Sequence, residues 1–232
     1  METEIATQET PGARPRRVRA RRHTLDRDTI AAAALALMDA EGTKALTIRS
    51  LAGKLGVAPM ALYNHVRTKE DILDAARELG LAELPVSSGT GSRPWWERIR
   101  EINLTFHQAL REHPSLVELL VARPLGGPAP IGAAEAQLRV LVEAGFTPDD
   151  AARAHLTLLH YAIGSVAWTS PRVEPHSVGR AALDRVPSDR YPTLAAVAGP
   201  LVDATYDANQ YAYGLDLLLD GLRTRHQCPA TT

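Results

Sequence analysis

The stretch LTIRSLAGKLGVAPMALYNHVRTKEDILD, residues 46–74, decides how this chain folds. Thr47 is a good helix N-cap, because a short side-chain oxygen accepts from the unpaired N–H groups of a first turn. Ile48, Leu51, Ala52 and Leu55 follow on one helical face. Gly56 ends that helix at a sharp turn. Pro59 suits the first turn of the next helix, where its missing N–H would be unpaired anyway. That helix is predicted to be very short, ending at about Val66. Leu51, Ala52, Leu55, Val57 and Leu62 can pack the pair into a rigid corner. The result is a helix-turn-helix whose second helix is free to enter a DNA major groove. Thr68 caps a further helix, with Glu70 and Asp71 at its positive end.

Upstream, Asp26 or Asp28 can cap a helix that carries Ile30, Ala34, Leu37 and Met38 on one face and stops at Gly42. Residues 1–24 have no hydrophobic periodicity and hold six arginines between Arg14 and Arg22, so they read as a disordered basic arm. Downstream, the helix begun at Thr68 runs through Ile72, Leu73, Ala76 and Leu79 to about Leu84. After a loop at 85–92 every segment keeps a helical period: 94–112, 114–122, 131–144, 148–169, 193–204 and 206–225. Residues 126–130 read as a Pro/Gly loop, and 170–191, with Pro171, Pro175 and Pro187, as a long mobile connection. The fold is therefore expected to be all-α. A three-helix DNA-binding domain is placed at 25–70 and a helical regulatory domain at 71–232.

Charge separates the two parts. Residues 1–69 hold twelve Lys and Arg against seven Asp and Glu, a surplus of five, while the remainder holds fourteen against twenty. A basic front on an acidic body suggests that only the front meets a polyanion. That argues against an architectural nucleic-acid protein, which needs basic residues over its whole body. Cys228 is the only cysteine of the 232 residues, so no internal disulfide can form. No apolar run is long enough to span a membrane and no secretory leader is visible, so a cytoplasmic protein without membrane contact is expected. Eight histidines include no pair at metal spacing on a convincing face, and no nucleophile elbow or phosphate loop occurs, so an enzyme is not expected.

Residues 46–74 resemble the DNA-binding domain of the TetR family of bacterial regulators. The Leu-Thr-x-Arg-x-Leu-Ala start, the Leu-Gly-Val turn, the Leu-Tyr-x-His-Val run and Lys69 all fit. Residues 95–109, 141–146 and above all 211–222 (YAYGLDLLLDGL) resemble the C-terminal domain of the tetracycline-repressor branch. The resemblance implies that Arg49 reads a base, for which guanine offers paired acceptors. It places Pro59, Met60 and Ala61 at the opening of the recognition helix, where apolar side chains read thymine methyls and groove shape. Asn64 becomes a further base contact. Thr47, Tyr63, His65 and Lys69 become phosphate contacts; partial packing is the other reading of Tyr63, and a solvated charge that of Lys69. Ala58 departs from the small polar residue usual at that helix start, so the operator cannot be copied from a relative.

The last helix carries Tyr211, Gly214, Leu215, Leu218, Gly221 and Leu222 at spacings of three and four. The plain reading is internal core. The resemblance implies instead a four-helix bundle with a second subunit, and a homodimer that reads a palindromic operator. It also implies a small-molecule pocket in the body. Trp95, Phe106, His107, Leu110, Leu120, His155, Leu159, His160 and Trp168 are the candidate lining residues. Ile102, Leu120 and Trp168 stand where the tetracycline-repressor branch has its drug-binding Asn, metal-binding His and partner-subunit Glu. Only Phe106 persists. A more apolar effector that needs no metal and no cofactor is therefore expected. A ligand-released repressor is the reading; an activator, or a relative without a working pocket, is the alternative.

Overall fold

In the computed structural model, residues 25–82, 84, 93–122, 127–169 and 176–227 are described, and among them there is no β-strand. The basic arm, the 85–92 loop and Cys228 lie outside the described residues. Helix α1 (Arg27–Glu41) begins at Asp26, whose carboxylate accepts from Thr29 N–H at 2.7 Å. Helices α2 (Ile48–Leu55) and α3 (Pro59–Leu62) form the helix-turn-helix. Thr47 and Ser50 cap α2 reciprocally, and Gly56 sits in the left-handed region at φ 66°, which lets Val57 N–H reach Ala52 O at 3.0 Å. Regular helix in α3 lasts one turn and continues as a tight turn, closed by Val66 N–H on Leu62 O, so it is shorter than its spacing suggests. Thr68 and Asp71 cap α4 (Lys69–Leu81), with Asp71 also accepting from Arg67 N–H. That hydrogen bond, first among several, holds the Asp71 carboxyl below the usual carboxylate range.

The apolar faces of α1, α2, α3 and α4 close over Ile30, Ala34, Met38, Leu51, Ala52, Leu62 and Ile72, all nearly inaccessible. Beyond them come α5 (Trp95–Glu112), α6 (Ser115–Ala122), α7 (Pro128–Glu143), α8 (Pro148–Thr169), α9 (His176–Leu183), α10 (Pro192–Tyr206) and α11 (Gln210–Gln227). Two expectations are corrected. Pro128 and Pro130 belong to α7 rather than to a loop, because proline is tolerated in a first helical turn. The expected connection at 170–191 contains α9, which packs on α10.

The body is held by α5, α8 and α11. Arg100 on α5 grips Asp216 on α11 with two hydrogen bonds, 2.7 and 3.2 Å. His107, Tyr211 and Tyr161 stack as three successive rings. Front and body meet through Asp39 on α1, which accepts from Ser115 N–H and Oγ at the start of α6 and lies 2.7 Å from His113 Nδ1. Removing side-chain volume from the fully buried Leu51 leaves a cavity in the helix-turn-helix core. Leu51→Ala is expected to cost about 2–5 kcal/mol, read from chemical denaturation.

Candidate DNA-reading surface and effector cavity

The candidate reading surface spans three helix starts. Thr47, Arg49, Pro59, Met60, Tyr63, Asn64 and His65 are all exposed, and Ala61 and Lys69 are half-buried. Met60 is 74% exposed, so an apolar side chain is offered to solvent where the chain could have buried it. Ala58 caps α3 with no side-chain hydrogen bond. Thr47 Oγ1 accepts from Ser50 N–H as the cap of α2. Among the described residues, Arg49, Lys54 and Lys69 form no ion pair with a carboxylate, leaving three cations available to a polyanion.

The body contains a cavity of about 230 Å³ with largely apolar walls. Leu81 of α4, Ile102, Asn103 and Phe106 of α5, and Leu120 of α6 form one side. Pro130, Ala133 and Gln137 of α7 and His155, Leu156 and Leu159 of α8 form the other. Four of the sequence-derived candidates, Phe106, Leu120, His155 and Leu159, thus meet there. Ile102 and Leu120, read as replacements of polar drug and metal ligands, both sit in the wall as apolar groups. The other candidates lie elsewhere. Leu110 is buried in the core. Trp95 packs edge-on against Phe146, 5.1 Å between rings. His160 is exposed, and Trp168 is 71% exposed on the outer face of α8.

His107 lines a second cavity of about 210 Å³, with Arg111, Ser165, Thr205, Asp207, Gln210 and Tyr211. Its Nε2 lies 3.3 Å from Ser165 Oγ. Burial, with Arg111 adding to it, pushes its pKa down to about 4. Burial, aided by His160, also lowers that of His155. Gln137 and Asn103 are wall residues that sequence reading passed over. The available signal was Gln137 at a core position of the Pro130–Ala133–Gln137–Leu141 spacing, where an apolar residue belongs. No group of three potential metal ligands occurs among the described residues, nor any helix long and apolar enough to cross a membrane.

Part of the seam read on α11 faces inward in the protomer. Tyr211 is 4% exposed and Leu215 0%, and Leu218 and Leu222 pack against the same core. Gly214 backs onto Tyr161, while Gly221 is open. The large apolar groups that α11 leaves outside are Tyr213 and Leu217, each two residues on from the buried Tyr211 and Leu215. A helix between a core and a subunit contact has two apolar faces, and spacing alone does not say which is which. On α8, Leu156, His160, Gly164 and Trp168 form an outward stripe at every fourth residue.

A helix-turn-helix with exposed reading residues, joined to a helical body with an apolar cavity, defines a DNA-binding transcription regulator. Comparison with known proteins gives its family. Residues 30–76 match the model of the bacterial regulatory proteins of the tetR family, and residues 85–226 that of the tetracyclin repressor-like C-terminal domain. The chain belongs to the TetR family. It is 33% identical to the class A tetracycline repressor protein from transposon 1721 of Escherichia coli, over 87% of this chain and 92% of that one. Its fold matches a possible TetR family transcriptional regulator of Streptomyces coelicolor with a TM-score of 0.73, at 32% identity, covering 86% of this chain and 99% of the other. It also matches the TetR family protein ActR of the same organism in complex with actinorhodin, with a TM-score of 0.72, 26% identity, and coverage of 87% and 97%. These relatives regulate transcription and are not enzymes, and this chain is a regulator of the same kind.

The neutral state of His107 sets a pH dependence. The unfolded histidine takes up a proton near 6.5, whereas the folded one stays neutral until about 4. The unfolded state therefore gains protons first, and stability falls as pH drops through that window. The thermal midpoint is expected to fall between pH 6.5 and 4, and to fall less in His107→Phe. His155 contributes in the same direction, so part of the slope remains.

Proposed function

We propose that this regulator is a cytoplasmic homodimeric repressor. Its two reading heads grip a near-palindromic operator and release it when a small, largely apolar effector fills the body cavity. The observation that carries this reading is that the cavity wall and the head share helices. Leu81 and Leu120 face the cavity from α4 and α6, and both helices pack against α1 of the head. An occupant that favours one setting of α4 and α6 biases the head, and operator DNA must weaken effector binding by the same factor. ActR, solved in complex with actinorhodin, supplies the precedent for a small-molecule ligand on this fold.

A single short helix meets few base pairs. Two copies related by a two-fold axis can set recognition helices into successive major grooves, roughly 34–36 Å apart. The stripe of Leu156, His160, Gly164 and Trp168, with Tyr213, Leu217 and Gly221 on α11, offers the self-complementary apolar face such a dimer needs. The apolar wall positions of Ile102 and Leu120 support an effector bound without magnesium.

Gel-shift titration against the DNA flanking the gene is expected to give specific binding that weakens steeply with salt, because phosphate neutralisation releases counterions. Absence of specific binding at low salt refutes the operator reading. Arg49→Ala is expected to cost about 1–3 kcal/mol and to relax one base position. Unchanged specificity in that variant removes Arg49 as a base reader. Magnesium-dependent tetracycline binding would overturn the metal-free effector.

A further inference from the structure

The second cavity, of about 210 Å³, opens between α5, α8 and the corner that joins α10 to α11. It carries one charge of each sign. Arg111, on the last turn of α5, and Asp207, at the corner, are both exposed and both line it. They form no ion pair with each other, and among the described residues Arg111 has no carboxylate partner at all. Asp207 uses one oxygen locally: Oδ1 accepts from Asn209 N–H at 2.9 Å and from its Nδ2 at 3.2 Å. Oδ2 takes no hydrogen bond among the described residues. A guanidinium and a carboxylate oxygen thus share one cavity, each short of a partner.

The rest of the wall is neutral. His107 lies face to face on Tyr211, with 3.7 Å between ring centroids, and its Nε2 is 3.3 Å from Ser165 Oγ. Burial, and after it the Arg111 charge, lowers the pKa of this imidazole to about 4, so it adds no charge at ordinary pH. Thr205 Oγ1 donates to Leu201 O at 2.8 Å, which leaves it only an acceptor for anything else. The balance is therefore one positive and one negative group. A lone anion is repelled by Asp207 and a lone cation by Arg111. A molecule that carries both charges meets an opposite one at each end.

We propose that this cavity is a second ligand site and that it takes small zwitterions, with a carboxylate and an ammonium on one short chain. Arg111 holds the carboxylate and Asp207 Oδ2 the ammonium. The occupant bridges α5 to the α10–α11 corner. The site shares no lining residue with the apolar cavity, so the proposal does not depend on the effector reading of that cavity.

The test is ligand-observed NMR titration of the full chain at low salt. The probes are glycine, β-alanine, 4-aminobutyrate and 6-aminohexanoate, which set the two charges progressively further apart. Each is compared with the carboxylate and the ammonium obtained by removing one end. Both protein charges are exposed, so each contact is worth little, and the best-fitting zwitterion is expected to bind about fivefold more tightly than either of its halves. Arg111→Gln is expected to leave it no tighter than the ammonium half, and Asp207→Asn no tighter than the carboxylate half. Asp207→Asn keeps Oδ1, so the turn at Asn209 stays capped. Equal affinity for a zwitterion and for its carboxylate half, or its ammonium half, overturns the proposal in favour of a plain anion or cation site. Full preference in either variant removes that residue from the site. Binding of no member of the series overturns the proposal outright, while the reading of the apolar cavity stands.

Discussion

Helix α4 has to be buried on several sides at once, and the rest of the molecule depends on how it does so. Its Ile72 and Ala76 complete the core of the reading head. Gly80 brings its backbone so close to α6 that an added Cβ would lie 2.9 Å from Leu116. Glu78 reaches α7, where its Oε2 accepts from Ala129 N–H at 2.8 Å and puts negative charge at the positive end of that helix. Leu81 ends the helix in the cavity wall. Arg77, 1% exposed and paired with Asp74 at 2.9 Å, adds a buried charge that is costly to separate from its partner. With each turn claimed by a neighbour, α4 has little freedom to deform. Under the proposed mechanism a push on it from the cavity is transmitted as a rigid displacement rather than absorbed.

The body answers this with a different kind of cement. Between α5, α8 and α11 the contacts are stacked rings and a forked arginine rather than aliphatic packing alone. Arg100 binds both oxygens of Asp216, His107 lies face to face on Tyr211 at 3.7 Å, and Tyr211 continues onto Tyr161. Planar groups tolerate sliding less than methyl groups do, because their overlap and hydrogen bonds are directional. The cavity lies on another side of α5, where Ile102, Asn103 and Phe106 line it together with residues of α7 and α8.

What the sequence made legible was what local chemistry decides. Thr47, Gly56, Pro59 and Thr68 each act within four residues of themselves, so the caps and the turn of the helix-turn-helix could be placed from spacing. The long period of 148–169 marked α8 to the residue. What spacing could not give was phase and partnership. Tyr211 and Leu215 carry the same periodicity whether they face a core or a second subunit, and only the packing of α5 and α8 shows that they face inward. Pro128 and Pro130 looked like loop residues because proline is permitted both in loops and in a first helical turn. Trp168 and His160 were drawn to the cavity by residue type, yet the helix turns them outward. Gln137 was passed over because its partner, His155, is eighteen residues away on another helix.

Most of the side chains that would address DNA do little for the fold, Thr47, which caps α2, being the exception. Met60, Pro59 and Asn64 project into solvent, and the corner beneath them is held by Leu51, Ala52 and Leu62. A mutation at one of the outer positions leaves the core beneath it unchanged, so a gene duplicate could drift to a new target sequence without first losing stability. Under the proposed mechanism the cavity lining can drift separately, through residues such as Ile102, Phe106 and Leu159. An architecture divided in this way lets lineages exchange the address and the signal independently, while the helices that join them stay as they are.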